Sequence, residues 1–426
     1  MLIFIAEVFY DAVRGLLRKP NTIEKIAELA WVTVGLFFLS RFVAGRVDHV
    51  TFAFALRWLW LPLSLVFLVL RYGEGFKRWR FRRFFECSRF ICYDGKPPQF
   101  LYSIPQGYYL ECVRFLSTLP MREWEKMLPN LEEFYKKRIF KISQPGKINF
   151  KDVYFITRDL PKLIRWDDSY TPDGRCFAVG EGYVGQVIWD AAEMPHGLVA
   201  GSTGSGKTGL LRCIIHQAIQ KQFHISVLDF KGGGDFVLLE DVKNSTVISE
   251  PEAARDELIY LLAEVRDRMA AFKAAGVSNV DEYNALGREQ FEPWLLVVDE
   301  AAEVLDVKAK GEEKELYTEI DQTLRTLARL SRAARVHLLM GVIRPSHEVL
   351  DGQIKNNLLW RVCGYFPDSP ASRIVLDNDK ATELPPDVKG RFMVGDEVTQ
   401  AYYLDTGRRS ARRAEQKAGR SAADGG

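Results

Sequence analysis

The sequence predicts an α/β fold in which a mostly parallel sheet carries helices on both faces. Two observations support this prediction. Short apolar segments that read as buried strands alternate with longer helical patterns through the second half of the 426-residue chain. One such segment, 197–200, is followed by a glycine-rich loop and then by a helical pattern, the strand–loop–helix arrangement of a phosphate-binding site.

The glycine-rich loop matches the pattern G-x-x-x-x-G-K-[ST] at every defined position. Its glycines let successive backbone N–H groups turn towards phosphate oxygens, and the next helix adds the positive end of its dipole. We expect Lys207 to reach the β- and γ-phosphates of ATP and the Thr208 hydroxyl to bind Mg²⁺. A chance loop before a helix is the alternative, which the flanking strand disfavours. The predicted nucleotide-binding residues are Gly201, Ser202, Thr203, Gly204, Ser205, Gly206, Lys207 and Thr208.

A second apolar segment, at 294–298, ends in two carboxylates, Asp299 and Glu300. In nucleotide-hydrolysing sites, an acid that follows a buried strand holds Mg²⁺, and a neighbouring carboxylate polarises the attacking water. We therefore expect Asp299 to be a metal ligand and Glu300 to activate water. The alternative, a buried strand that ends in two solvated acids, is disfavoured by the phosphate-binding loop upstream. Together the two motifs predict a P-loop NTPase.

The remaining elements of this motor domain, which we place at 191–405, follow from the same patterns. The predicted strand at 224–230 has an acid near its end and is followed by a glycine loop at 231–235. This arrangement fits a functional loop at the carboxyl edge of the sheet. Further strands are predicted at 224–230, 336–342, 358–366, 391–394 and 401–404, and a long helix at 251–275.

Two apolar stretches, at about 26–43 and 51–70, precede the soluble part of the chain. Each has close to the ~20 residues that a helix needs to cross a bilayer. They predict a two-helix transmembrane hairpin over 26–72, after a short cytoplasmic segment at 1–25. The alternative is a buried hairpin in a soluble core, which the lack of a polar face disfavours.

A basic and aromatic stretch follows the second apolar segment directly. Its position beside a predicted membrane span favours lipid headgroups over nucleic acid as its partner, with the aromatic rings at headgroup level. Basic residues on both flanks of the hairpin predict a multi-pass plasma-membrane protein whose termini and motor are cytoplasmic. The stretch contains Arg71, Phe76, Lys77, Arg78, Trp79, Arg80, Phe81, Arg82, Arg83, Phe84 and Phe85.

The region at 73–190 is predicted to combine this juxtamembrane stretch with a small α/β lead-in domain. A helical pattern at 121–137 contains Pro129, where we expect a break or a kink. A strand is predicted at 148–157 and a hairpin at 177–190.

Composition limits the remaining possibilities. The net charge of +2 means that any nucleic-acid contact must come from local patches. The six cysteines include no C-x-x-C pair, which predicts reduced thiols rather than a disulfide frame or a zinc site. The last segment, 406–426, is rich in arginine, alanine and glycine and is predicted to be a disordered basic tail.

Four segments of the motor domain resemble the FtsK/SpoIIIE (FtsK–HerA) family of DNA translocases, in the family's order. The resemblance extends over about 175–405 and implies a RecA-like ATPase that assembles as a homo-hexamer and moves double-stranded DNA through its pore. It also implies that Arg332 or Arg373, which match family arginines, acts on the phosphates bound by a neighbouring subunit; a surface or salt-bridged role is equally open for each. The matching segments are 194–208, 331–346, 352–357 and 371–377.

Two departures from the family bear on the motor. Val342 and Ile343 stand where the family has Thr-Gln, whose glutamine senses the γ-phosphate, so the chain lacks that side chain. Arg335 stands where the family has glycine.

Lys231 and Lys355 are candidates for DNA contact at the pore.

The arrangement of segments bears on the branch of the family. Two predicted spans, no long linker and only a short tail resemble the coupling proteins of Gram-positive conjugative plasmids and integrative elements. That resemblance implies delivery of DNA to a secretion channel, with a relaxase and channel proteins as partners. Chromosome partition and a nucleotide-gated membrane scaffold with weak hydrolysis are the alternatives.

Overall fold

The computed structural model describes residues 22–46, 54, 56–72, 74–146, 149–232, 234–239, 242–287, 290–305 and 310–405. The chain divides into two compact units between Asp159 and Leu160. Most of the predicted segment at 1–25 and all of the predicted tail at 406–426 lie outside the described residues.

The apolar N-terminal stretches form two helices, α1 (Thr22–Ala44) and α2 (Trp60–Tyr72). The helices contact each other, because the ring of Phe37 lies edge-on to the ring of Trp60 with centroids 5.6 Å apart. Within α1, residues Ile26–Ala44 are long and apolar enough to cross a bilayer, and almost none of this segment is buried. Among the described residues α1 alone meets that length, since α2 has 13 residues and 47–53 fall outside the description. The structure thus supports the first predicted span and not a multi-pass topology.

The rest of the first unit is an antiparallel sheet of strand order β1–β2–β4–β3, covered by two helices. Its core consists largely of aromatic rings, among them Phe115, Trp124 and Phe155, which are fully buried. Its elements are α3 (Gly75–Cys87), β1 (Gln99–Gln106), β2 (Leu110–Leu116), α4 (Met121–Tyr135), β3 (Ile139–Ser143) and β4 (Phe150–Ile156).

The basic and aromatic stretch forms α3, and its rings do not all face lipid as predicted. Phe81 and Phe85 are buried in the core of the sheet domain, where Phe81 stacks on Phe100 with centroids 5.6 Å apart. The headgroup-level prediction is wrong for these two rings, because α3 is amphipathic and its apolar side covers the sheet. The predicted break at Pro129 is also absent: α4 continues through this residue, which lies on the exposed side of the helix.

The second unit is built on one mixed sheet of strand order β10–β9–β11–β12–β8–β13–β14–β15–β6–β7, with β5 paired to β15. The elements are β5 (Ile164–Arg165), β6 (Cys176–Gly182), β7 (Gln186–Asp190), β8 (His196–Ala200), α5 (Lys207–Gln220), β9 (His224–Leu228), β10 (Ser245–Ile248), α6 (Pro251–Ala275), α7 (Val280–Ala285), β11 (Trp294–Val298), α8 (Ala301–Val304), α9 (Glu312–Leu330), β12 (Val336–Val342), α10 (Gly352–Asn357), β13 (Trp360–Gly364), α11 (Ser369–Leu376), β14 (Arg391–Val394) and β15 (Glu397–Tyr403), with 3-10 turns at Asp168–Tyr170, Gly234–Leu239 and Lys380–Glu383.

The parallel part of this sheet, from β10 to β13, agrees with the predicted fold. Helices lie on both of its faces. Leu198 and Ala200 point to the side covered by α6 and α9, whereas Val199 between them points to the side covered by α5. Such strands are buried on both faces, which is why they read as continuous apolar runs in the sequence.

The antiparallel strands place the boundary between the two units earlier in the chain than predicted. The hairpin β6–β7, predicted within the lead-in region, belongs to the motor sheet because Thr399 of β15 pairs with Gly182 of β6. The boundary between the units is therefore at 159, not at 190. This pairing joins segments more than two hundred residues apart, and local sequence patterns carry no information about it.

Candidate active site

Parallel pairing brings the predicted motifs to one edge of the motor sheet. Val298 of β11 lies opposite Met340 of β12, which in turn lies opposite Leu198 of β8. The glycine-rich loop after β8 and the carboxylates after β11 therefore follow strand ends at the same carboxyl edge, where ligands bind in open α/β sheets.

The P-loop, residues 201–208, connects β8 to the first turn of α5. Gly206 has φ +102°, and a Cβ atom built there would lie 2.7 Å from the backbone nitrogen of Gly390, so only glycine fits. The loop is held from behind, because the N–H of Gly390 donates to the Ser205 carbonyl at 2.7 Å. The backbone is thus preformed for phosphate.

Lys207 is buried and already has partners in the site. Its ammonium donates to the backbone carbonyl of Asp299 and to Oδ1 of the same residue at 3.0 Å. Gly341 on β12 makes this contact possible, since a Cβ atom there would lie 2.2 Å from the Asp299 carbonyl oxygen and 2.9 Å from the Lys207 Nζ. The structure therefore brings the predicted lysine and the predicted metal ligand together.

Glu300 is buried beside this pair. Its two carboxylate oxygens accept hydrogen bonds from the backbone N–H of Ile343 at 3.0 and 3.1 Å, and Oε2 lies 4.0 Å from the Lys207 Nζ. Burial raises the pKa of Glu300 above its ordinary value, although the Ile343 N–H and Lys207 act in the opposite direction. A carboxylate with a raised pKa accepts a proton more readily, which suits a general base.

Lys231 extends the cluster. Its ammonium lies 3.9 Å from Asp299 Oδ2 and 3.6 Å from Glu303 Oε1, and its backbone N–H donates to Asp229 Oδ1 at 3.0 Å. The acid that closes strand β9 predicted a functional loop at this edge, and Lys231 was predicted as a DNA contact. Neither prediction placed the Lys231 ammonium beside Asp299.

Two residues present oxygens that fit Mg²⁺. The Thr208 hydroxyl and the Asp299 carboxylate are the hard oxygen ligands that this ion prefers. Among the described residues no group of three or more His, Cys, Asp or Glu side chains forms a metal cage. This donor set fits an ion that keeps water and nucleotide phosphates as its other ligands, as Mg²⁺ does at phosphate sites.

Comparison with known proteins agrees with this geometry. The sequence model of the FtsK/SpoIIIE family matches residues 166–347. The DNA translocase FtsK of Clostridium tetani is 30% identical over 220 residues, which are 49% of this chain and 28% of that protein. The DNA translocase SftA of Bacillus subtilis is 29% identical over 212 residues, covering 46% of this chain and 21% of the relative. The chain thus spans less than a third of these curated relatives.

A solved structure covers more of the chain. The pCW3 conjugation coupling protein TcpA, in a monomer form with ATPgS, superposes with a TM-score of 0.58 and 35% identity. The match covers 78% of this chain and 96% of that structure. The chain belongs to the FtsK/SpoIIIE family. It carries the ATPase domain of that family.

In this FtsK/SpoIIIE domain, the described contacts join neither family arginine to the chain's own cluster of Lys207 and acids. Arg332 is exposed in the turn between α9 and β12, at the amino ends of the parallel strands, whereas the P-loop follows their carboxyl ends. Arg373 lies on α11 and donates to both carboxylate oxygens of Asp379, at 2.5 and 2.6 Å. In the described part of the chain, neither arginine reaches the site of its own subunit.

Lys355, the other DNA-contact candidate, is engaged at the surface of this FtsK/SpoIIIE domain. Its ammonium donates to Asp377 Oδ1 at 2.6 Å, and Arg361 donates to the other oxygen of the same carboxylate at 2.8 Å. A DNA phosphate would have to displace Asp377 to reach it.

Proposed function

We propose that the protein is a membrane-anchored, ATP-driven DNA translocase that acts as a coupling protein in conjugative transfer. The observation that carries the proposal is the convergence of Lys207, Asp299 and Glu300 at one sheet edge, in a chain 35% identical to a conjugation coupling protein over nearly all of that structure. The nucleotide cluster supports hydrolysis, and the similarity supports the choice of pathway.

The chemistry of the cluster follows from its contacts. An arriving nucleotide competes with Asp299 for the Lys207 ammonium, since both present oxygens to it. With Lys207 on phosphate, the Asp299 carboxylate and the Thr208 hydroxyl would be free to hold Mg²⁺. The ion, when bound, would neutralise phosphate charge. Glu300 then orients and deprotonates the attacking water, helped by a pKa that burial has raised.

The proposal includes a ring. Arg332 is exposed and lies away from its own P-loop, so it is available to the phosphates of a neighbouring copy. Arg373 is also at the surface, where a phosphate would have to displace its partner Asp379. Such an arginine in trans requires an oligomer, and a homo-hexamer that encloses double-stranded DNA accounts for it. The ring also replaces the missing sensor, because a trans arginine can read the γ-phosphate where Ile343 cannot.

Membrane anchoring rests on α1. Its 19 residues Ile26–Ala44 span about 28 Å, close to the hydrocarbon thickness of a bilayer. Exposed rings on this helix, including Trp31 and Phe38, favour a lipid environment over water. We further propose that α1 and α2 form a hairpin in the plasma membrane. The motor would then lie in the cytoplasm and deliver DNA to a relaxase and channel proteins.

The test is ATP hydrolysis by the full chain in lipid nanodiscs, with and without double-stranded DNA at low salt. We expect DNA to stimulate turnover, and Lys207→Ala to abolish both basal and stimulated rates. Nucleotide binding without DNA-stimulated turnover in an assembled ring would contradict the motor and favour a nucleotide-gated scaffold. Mating assays in the host distinguish conjugation from chromosome partition, since only the first predicts loss of transfer with normal segregation.

A further inference from the structure

We propose that one end of the four-stranded sheet in the first unit docks on the headgroups of an anionic bilayer. The surface consists of Tyr108, Lys136, Arg138 and Arg158, which we name the sheet-end patch. The inference rests on the proposed membrane anchoring and adds to it a lipid class and a set of residues outside the membrane helices.

The direction of α3 fixes which end of the sheet is near the membrane helices. Glu74, just before α3, accepts a hydrogen bond from the Ser103 N–H at 2.8 Å, while Phe81, farther along α3, stacks on Phe100. The helix therefore runs antiparallel to β1, and its beginning lies towards the β1–β2 turn. Helix α2 ends at Tyr72, two residues before Glu74. The β1–β2 turn and the end of α2 are thus at the same end of the unit.

Partly buried ion pairs hold this arrangement. The Lys77 ammonium donates to Glu111 Oε1 at 2.6 Å and Lys137 donates to Oε2 at 2.6 Å, with the Tyr135 hydroxyl beside them. These contacts lower the pKa of Glu111 to about 2, against the opposing effect of burial. Because Glu111 lies on β2 one pair from the turn, α3 is fastened to the end of the sheet that faces α2.

The turn itself carries an exposed ring. Tyr108 is 88% exposed at the tip, and its ring lies edge-on to Tyr109 with centroids 6.4 Å apart. The tip extends roughly 13 Å beyond Ser103, given about 3.3 Å per strand residue. A tyrosine so exposed is well suited to the membrane interface, where its ring and hydroxyl meet different surroundings.

Basic side chains surround the tip. The Ile156 N–H donates to the Arg138 carbonyl at 2.8 Å and the Thr157 N–H donates to the Tyr109 carbonyl at 2.8 Å, so the segments before β3 and after β4 lie at the turn end. Those segments expose Lys136, Arg138 and Arg158. Arg138 pairs with Asp159, which leaves a net positive patch. An aromatic tip ringed by cations complements anionic headgroups.

The opposite end of the same sheet provides a matched control. Asn149 is exposed just before β4, and Phe150 at the start of that strand pairs with Leu116, at the end of the sheet away from the β1–β2 turn. The test uses the full chain with the exposed thiol of Cys87 and the half-buried thiol of Cys176 removed by Cys87→Ser and Cys176→Ser. An environment-sensitive label is attached to Gln106→Cys beside the tip, to Asn149→Cys at the far end, or to Phe38→Cys in α1.

Labelled protein is placed in nanodiscs that contain lipids brominated near the headgroup, with or without phosphatidylglycerol. We expect quenching at position 106 only in anionic nanodiscs, none at 149, and quenching at 38 in both.

Neutralising the three cations by Lys136→Gln, Arg138→Gln and Arg158→Gln should lower the docked-to-undocked ratio by about a hundredfold, roughly fivefold per cation. Tyr108→Ser should reduce quenching too. A charge-matched control carries Arg122→Gln, Lys126→Gln and Lys141→Gln, which lie elsewhere on the unit.

The outcomes separate the two proposals. Quenching at 38 without quenching at 106 overturns the docking inference and leaves membrane anchoring intact. No quenching at 38 overturns the anchoring itself. A label at 106 that responds to double-stranded DNA and not to lipid also overturns the inference and identifies the sheet-end patch as a nucleic-acid surface.

Discussion

The buried ammonium of Lys207 is held by two oxygens of Asp299, the backbone carbonyl and Oδ1 at 3.0 Å. The P-loop lysine therefore has a protein partner within the site. We expect this contact to link the stability of the domain to its affinity for phosphate, because nucleotide and Asp299 offer the same lysine competing oxygens.

Asp299→Asn tests this competition. Removal of one member of a buried charge pair costs about 3–5 kcal/mol, and the retained carbonyl contact should keep the loss near 2 kcal/mol. For a unit of this size we expect the melting temperature of the nucleotide-free protein to fall by about 5 °C. ATPγS without Mg²⁺ should raise the melting temperature of Asp299→Asn by more than it raises the melting temperature of the wild type. Glu303→Gln, a half-exposed neighbour, is the control, and an unchanged melting temperature in Asp299→Asn would contradict the prediction.

Gly341→Ala should block the same contact from the neighbouring strand. The added methyl group would lie 2.2 Å from the Asp299 carbonyl oxygen, so either β11 or Lys207 must move. We expect a loss of about 1–3 kcal/mol in stability, typical of overpacking, together with weakened binding of a fluorescent ATP analogue. Gly352→Ala is the matched control, because no atom lies within 4 Å of a Cβ atom there. Equal nucleotide affinity in the two variants would show that the contact is not needed for binding.

Glu300→Gln should separate binding from chemistry. Loss of a general base typically lowers turnover by about 10²–10⁴-fold, whereas the amide still fits the pocket beside Ile343. We expect nucleotide affinity within a few-fold of wild type and hydrolysis close to zero, measured on the same preparation. Glu303→Gln should retain turnover; if it loses as much as Glu300→Gln, the assignment of the base is wrong.

The rate of hydrolysis should also depend on pH through Glu300. Its pKa is raised by burial, so the carboxylate takes up a proton at a higher pH than an ordinary glutamate. Only the deprotonated form can accept a proton from water, so the rate falls as pH decreases through this raised pKa and recovers above it. Turnover at saturating ATP is measured as a function of pH and compared with nucleotide binding over the same range. The comparison isolates the decrease in rate on the acid side of the profile. An acid limb at or below the ordinary pKa of glutamate would argue against a buried base.

Much of the motor could be predicted because its central strands are buried on both faces. The strand 336–342, the strand 391–394 and the helix 251–275 are predicted and observed with the same bounds. The P-loop and the pair Asp299 and Glu300 are also found at one edge, since a parallel sheet leaves little choice about where strand ends meet.

Other features depend on contacts that local patterns do not encode. The hydrogen bond from the Ile343 N–H to Glu300 and the space that Gly341 leaves for Lys207 arise from the pairing of β11 with β12. The rings of Phe81 and Phe85 have the same spacing whether a helix covers a sheet or a bilayer. The position of these two rings beside a predicted membrane span favoured lipid as their partner. The sheet that covers them is formed by residues farther along the chain.

The buried histidines His196 and His337 give the last prediction. They lie on adjacent strands, where His196 Nδ1 accepts from the Leu338 N–H at 3.0 Å and His337 Nδ1 lies 3.1 Å from the Pro195 carbonyl. Burial lowers the pKa of His196 to about 3 and that of His337 to about 4, and nearby positive charge adds to both effects. In the unfolded chain both groups have an ordinary pKa near 6.5.

The sign of the resulting pH dependence follows from linkage. Between about pH 6.5 and pH 4 the unfolded state binds protons that the folded state cannot, so stability is full above pH 6.5 and is lost as pH falls towards 4. Each histidine should remove about 2 kcal/mol between pH 7.5 and pH 5. His337→Gln should therefore shrink the difference in melting temperature between these two pH values, while His347→Gln, at an exposed position, should leave it unchanged. If both variants keep the wild-type difference, protonation of His337 does not control acid stability, and carboxylates elsewhere in the motor must account for it.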